Sequence, residues 1–313
     1  MRQYRFLQLD VFTDRAFSGN PLAVFPEADG LTDREMQQIA REMNLSETVF
    51  VLPSRDERSL RRLRIFTPGR ELPFAGHPIV GTWNALAREG VVPVPEGGDG
   101  WTRIEHEVGI GRLPVDVEFK EGEPVRVVMT QGKFEALGEV EDADERAEIE
   151  RGLGLAPEDL DETLPIQTIS TGIPTLAVPL RSLEAMGRCR VQAAILSEAY
   201  TRAGALSCYA FTRETIEGGD AQAHARLFAH DSGIAEDPAT GSAAGSLAGY
   251  LVHHGALNAG SGADGLFRFR IEQGDFIHRP SRISAEVEGA PGHIEQVRVG
   301  GPSVVVARGE LLF

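Results

Sequence analysis

Glu47, His77 and Asp237 are the titratable side chains whose neighbours suit them to acid/base chemistry. Glu47 lies in NLSETVF (Asn44 to Phe50), between the hydroxyls of Ser46 and Thr48 and ahead of apolar Phe50. A carboxylate at the edge of an apolar cleft can have its pKa raised toward working pH, which suits a general base. His77 stands in FAGHP (Phe74 to Pro78), between Gly76 and Pro78, where a capping histidine and a functional one are both reasonable readings. Asp237 opens DPATGS (Asp237 to Ser242), which puts Asp237, Thr240 and Ser242 within one turn beside Gly241. Glycine lets a ligand approach the backbone there. Both glycine-bearing segments read as helix starts, whose unpaired N–H groups and positive dipole end favour a carboxylate or a developing oxyanion.

The elements that position these residues follow from the pattern around them. Tyr4 to Phe12 and Leu22 to Phe25 read as strands joined by a turn containing Gly19, Asn20 and Pro21. A helix follows, with Thr32 as N-cap, Glu35 completing a capping box, and Leu31 and Met36 placed as a hydrophobic staple. Met36, Ile39, Ala40 and Met43 form its buried stripe, and Asn44 ends it. Glu47 then falls in the short connection to a strand from Thr48 to Leu52. A second helix runs from Pro78 to Arg88 and stops at Gly90. A third starts at Pro238 or Thr240, with Asp237 as its N-cap, and ends at His254 before Gly255. This last helix is small and apolar around most of its circumference, as a helix buried inside other structure should be. His253 and His254 suit its negative end better than they suit a metal, since adjacent histidines do not share one helix face.

Composition closes off several function classes. A formal net charge of −16 over 313 residues argues against a nucleic-acid or anionic-membrane surface. No apolar stretch approaches the ~20 residues that span a bilayer, and the opening MRQYRFLQLD lacks the apolar core of a secretory signal, so a cytoplasmic location is expected. Cys189 and Cys208 sit in no CxxC or nucleophile motif and read as free buried thiols. Lys120 and Lys133 are the only lysines and neither looks buried, which weakens any pyridoxal-phosphate mechanism. GIGRLP (Gly109 to Pro114) reads as a turn rather than a dinucleotide fingerprint, and no GxxxxGK[ST] loop or GxSxG elbow occurs. HARLFAH (His224 to His230) has the wrong spacing for a zinc motif. Neither a metal nor a cofactor is expected.

A weak internal repeat points to two similar halves. GNPLAVF (Gly19 to Phe25) resembles GIPTLAVPL (Gly172 to Leu180), and each is followed by a glycine-bearing helix start. The acidic stretch from Glu135 to Asp161 reads as a solvated helix and loop. The change of domain is expected between Arg126 and Gly132, giving domains of 1–128 and 129–313, with the last strand a candidate to return to the first.

Together NLSETVF, TPGRELPFAGHPIVGT (Thr67 to Thr82), EDPATGSAAG (Glu236 to Gly245) and IEQGDFIHRPSR (Ile271 to Arg282) resemble the motifs of the PhzF family of phenazine-biosynthesis isomerases. They occur in the family's order, and the similarity covers essentially the whole chain. The resemblance implies an α+β, diaminopimelate epimerase-like fold: two like domains, each a strand barrel or roll around a central helix, with the active site between them, and a homodimer. It also implies a cofactor-independent isomerase that moves a proton on a small amino or hydroxy carboxylic acid. Glu47 then becomes the acid/base, with His77 and Asp237 as further catalytic residues. Gly76, His77, Asp237, Gly241 and Ser242 hold the carboxylate, amine and hydroxyl, and Asn20 completes the substrate-binding set. The fold relatives carry cysteines at equivalent helix starts and this chain has none there, which argues against thiol-mediated epimerisation. Two alternatives stand beside this reading: an amino-acid epimerase or racemase using Glu47 and Asp237, and a non-catalytic small-molecule-binding protein.

Overall fold

The computed structural model describes residues 1–257 and 265–313. The chain divides into two compact units, Met1–Thr130 with Gly300–Phe313, and Gln131–Val299.

The first unit contains strands β1 (Gln3–Val11), β2 (Asn20–Phe25), β3 (Glu47–Leu52), β4 (Arg62–Phe66), β5 (Glu71–Leu72), β6 (Gly100–Val108), β7 (Gly111–Lys120) and β8 (Glu123–Thr130). Helix α1 (Asp33–Met43) joins β2 to β3, and α2 (Gly76–Arg88) joins β5 to β6. The α1 capping and staple signals read from sequence are present, and of the expected buried stripe Met36, Ile39 and Ala40 are buried while Met43 is half-buried. Thr32 and Glu35 form the reciprocal capping box, Asn44 takes the left-handed conformation at φ 50°, and Leu31 and Met36 share an apolar cluster with Phe25, Phe50 and Phe66. Helix α2 is different in kind. Every residue from Gly76 to Ala87 is buried, because the helix packs against β1, β2, β3, β7, β8 and the C-terminal strand of this unit. Gly81 makes the close approach feasible, since a Cβ there would collide with Val11 and Leu22 side chains.

The second unit runs β9 (Glu135–Glu139), α3 (Ala143–Leu153), β10 (Gln167–Ser170), β11 (Thr175–Pro179), α4 (Leu183–Arg188), α5 (Ala193–Arg202), β12 (Cys208–Thr212), β13 (Ala221–Ala229), β14 (Ile234–Asp237), α6 (Gly241–His253), β15 (Leu266–Gln273) and β16 (Ser281–Ala290). Strand β17 (His293–Gly301) reaches the unit boundary, and β18 (Ser303–Leu312) belongs to the first unit, antiparallel to β1. Helices α3, α4 and α5 cover β11 and β12 through a core containing Leu153, Leu176, Val178, Leu196 and Tyr200. Helix α6 is the buried counterpart of α2, and it packs against β10, β11, β15 and β16.

The two units repeat one topology. In the first, β1 pairs antiparallel with β2, β2 parallel with β3, β3 antiparallel with β4, β4 antiparallel with β5 and parallel with β6, and β6 antiparallel with β7. The second repeats the same succession in β10 to β16, including the parallel pairings β11–β12 and β13–β15. Each central helix follows the fifth strand of its series. The match of GNPLAVF with GIPTLAVPL is therefore the match of β2 with β11. By register, Leu22 opposite Glu47 corresponds to Leu176 opposite Cys208, so Cys208 occupies in the second unit the place of Glu47 in the first.

Several boundaries differ from the sequence expectation. Glu47 is the first residue of β3 and not part of the preceding connection, because its backbone joins the parallel ladder with β2. Helix α2 starts at Gly76, two residues before Pro78, so His77 lies inside its first turn. Asp237 is not the N-cap of α6. It ends β14, where it pairs with Leu227, and Thr240 is the N-cap residue. The acidic segment after residue 134 begins with a strand, β9, exposed along its whole length and held to β10 by backbone hydrogen bonds. Among the described residues no helix is long and apolar enough to cross a membrane.

Candidate active site

In the first unit, Asn20, Glu47 and His77 come together from three elements that are distant in sequence. Asn20 opens β2, Glu47 opens β3 beside it, and His77 lies in the first turn of α2. His77 Nε2 is 3.2 Å from Glu47 Oε2, and His77 Nδ1 is 3.4 Å from Asn20 Nδ2. Glu47 and His77 are 8% and 6% exposed, and Asn20 is fully buried. Burial pushes the imidazole down to about pKa 3, against the upward pull of its hydrogen bond to the Pro21 backbone. Proline has no N–H, so the ring donates to the Pro21 carbonyl. The Glu47–His77 contact is thus a carboxyl group against a neutral imidazole, and not a salt bridge, at any ordinary pH.

Local structure fixes this arrangement. The turn before Asn20 places Phe12, Phe17 and Gly19 at positive φ, and the buried Asp10 carboxylate accepts the Phe17 N–H at 2.6 Å. A Cβ on Gly19 would collide with the Val11 carbonyl, so only glycine fits that corner. The N-cap of α2 is Ala75, whose side chain caps nothing. Gly76 and His77 follow with backbone N–H groups directed out of the helix end, where the dipole favours an anion.

In the second unit, the Asp237–Ser242 segment is held by a buried polar network. Thr240 donates its hydroxyl to the Asp237 carboxylate. Gln273 Oε1 accepts from the Thr240 N–H at 3.2 Å and from the Tyr209 hydroxyl at 2.8 Å. Its Nε2 donates to the Asp237 carbonyl at 2.7 Å and to Thr240 Oγ1 at 3.2 Å. Thr240, like Ala75, makes no side-chain cap to its own helix, and Gly241 and Ser242 form the first turn. Sequence reasoning gave no role to Asp10, Tyr209 or Gln273. The one signal was the place of Gln273 within IEQGDFIHRPSR.

The remaining polar candidates lie elsewhere. Cys189 and Cys208 are free and buried, and burial raises both thiols, Cys189 to about 11. Lys120 and Lys133 are exposed. His254 Nε2 contacts Gln167 Oε1 at 3.0 Å behind the end of α6.

A family model described as phenazine biosynthesis-like protein, PhzC-PhzF, matches residues 9–309. The chain belongs to the PhzF family. It is 38% identical over its full length to an uncharacterised isomerase of Clostridium acetobutylicum, covering 99% of that protein. It is 34% identical to the trans-2,3-dihydro-3-hydroxyanthranilate isomerase of Pseudomonas fluorescens, over 99% of this chain and all of the relative. A crystal structure of a PhzF-family protein from Bacillus anthracis superposes with a TM-score of 0.86 at 30% identity, covering both chains completely. The fold is the diaminopimelate epimerase-like α+β fold, and the protein is an isomerase of the PhzF family.

Proposed function

We propose that this isomerase moves a proton on a small amino or hydroxy carboxylic acid without a cofactor, with Glu47 as the acid/base. The observation that carries the reading is the pairing of two nearly buried groups, Glu47 Oε2 and a neutral His77 Nε2, at 3.2 Å. Glu47 takes a proton from a carbon activated by a neighbouring double bond or carboxylate and returns it to another position. His77, contacted in turn by Asn20, stands against the carboxyl group through both transfers. A positioned acid/base group of this kind contributes on the order of 10²–10⁴-fold. The uncapped start of α2 at Gly76 offers backbone donors to charge that develops on the substrate. Asp237, with Gly241 and Ser242, is proposed as a substrate-holding group.

The repeat within the chain supports a single acid/base. The position equivalent to Glu47 carries Cys208, fully buried and with its thiol pushed up by burial, which makes it a poor base. One carboxyl group that both removes and returns the proton suits an isomerisation better than inversion by two opposed bases.

The substrate named for the Pseudomonas relatives, trans-2,3-dihydro-3-hydroxyanthranilate, is the first candidate to offer this chain. The enzyme is incubated with it and with other unsaturated amino or hydroxy acids in D₂O, and deuterium is followed at the migrating carbon. Wild-type exchange retained in Glu47→Gln removes Glu47 from the role. Loss of optical rotation without movement of a double bond identifies an epimerase instead.

A further inference from the structure

The last family motif, IEQGDFIHRPSR, has no place in the chemistry proposed above, yet three of its residues lie against the Asp237–Thr240 segment. Gln273 makes the four contacts already described, two through each end of its amide. Gly274 follows at φ +83°, and a Cβ there would collide with the carbonyls of Pro238 and Arg279. Ser281 Oγ donates to the Pro238 carbonyl at 2.8 Å. The ends of β15 and β16 thus supply the donors that satisfy the Asp237 and Pro238 carbonyls.

We propose that Gln273 is the positioning residue for Asp237, with Tyr209 setting the direction of its amide. This rests on the reading that Asp237 takes part in the reaction. Tyr209 is fully buried, and burial with the nearby Asp237 charge keeps its phenol protonated, so it can only donate to Gln273 Oε1 when the Thr240 N–H shares that acceptor. With Oε1 fixed, Nε2 must face the Asp237 carbonyl and Thr240 Oγ1. Because Thr240 Oγ1 accepts from Nε2, its proton is directed to the Asp237 carboxylate. The chain Tyr209, Gln273, Thr240, Asp237 therefore has one consistent direction of donation, and it aims the carboxylate through a hydroxyl that cannot rotate away.

Gln273→Glu tests the assignment at nearly constant shape. It offers Thr240 a second acceptor, draws the hydroxyl away from Asp237, and should lower kcat/KM for trans-2,3-dihydro-3-hydroxyanthranilate about tenfold to a hundredfold. In an Asp237→Asn background the same substitution should cost nothing further, because Gln273 acts through Asp237. An equal loss in both backgrounds marks a general structural role and overturns the proposal. Asp237→Asn with wild-type turnover instead overturns the role of Asp237. Amide exchange at Thr240 needs no substrate: it should quicken in Gln273→Leu, and unchanged protection in that folded variant overturns the network itself.

Discussion

His77 Nε2 stands 3.2 Å from Glu47 Oε2, and Asn20 stands on the other side of the same ring. Burial keeps the His77 ring neutral, so it packs against the Glu47 carboxyl group without bringing a compensating charge. His77→Asn shortens the side chain and breaks this contact. Deuterium incorporation should slow by about 10²-fold or more, while the circular dichroism spectrum stays that of the wild type.

The acid stability of the fold follows from the same burial. His77 and His106 have folded pKa values of about 3 and about 4, both lowered by burial from 6.5. Between those values and 6.5 the unfolded chain binds protons that the folded chain refuses, so stability is complete above pH 6.5 and is lost as pH falls. Each unit of depression is worth ~1.4 kcal/mol, and the loss near pH 4 is on the order of several kcal/mol. Urea unfolding at pH 7, 5.5 and 4.5 should show this decline. His106→Phe, packed beside the Trp83 ring, should flatten it in part. A pH–rate limb near 6.5 assigned to His77 would contradict the assignment.

Thiol chemistry should be silent in the native protein. Burial holds both cysteines as protonated thiols, and Cys208 has no exposed surface. Neither should react with a disulfide reagent at pH 8 until the protein is unfolded, and Cys208→Ala should retain turnover. Inactivation of the folded enzyme by the reagent would restore a cysteine mechanism.

The packing of the central helices gives a stability prediction far from the chemistry. Gly249 of α6 lies against the Phe134 ring so closely that a Cβ would collide with it. Gly249→Ala forces the ring aside and should cost about 1–3 kcal/mol, read as a fall in the urea midpoint. Equal stability would show that Phe134 moves freely.

What could be read from the chain alone was whatever depends on near neighbours. Thr32, Glu35 and Asn44 announce α1 because capping is decided within four residues. The all-round apolar character of Gly241–His253 announced a helix enclosed by other structure. The family motifs carry Glu47 and His77, and the fold brings Asn20, from the start of β2, against the same His77 ring. The register of β3 against β2 is not legible in the sequence, which points to a strand beginning at Thr48, one residue after Glu47. Asp-Pro suits a first turn locally and so points to Asp237 as a helix cap, whereas pairing with Leu227 keeps it in β14. Gln273 and Tyr209 are 64 residues apart in sequence, and only the folded second unit makes them one network.

The first unit is closed by strands from opposite ends of the chain, since β18 pairs with β1 along its whole length. The second unit is contiguous, from Gln131 to Val299. During synthesis the second unit is therefore made in full before β18, which the first unit needs, has been translated. The unit that carries Glu47 thus depends on residues translated after the whole of the other, and a change in β18 strikes it rather than the half to which those residues are nearest in sequence.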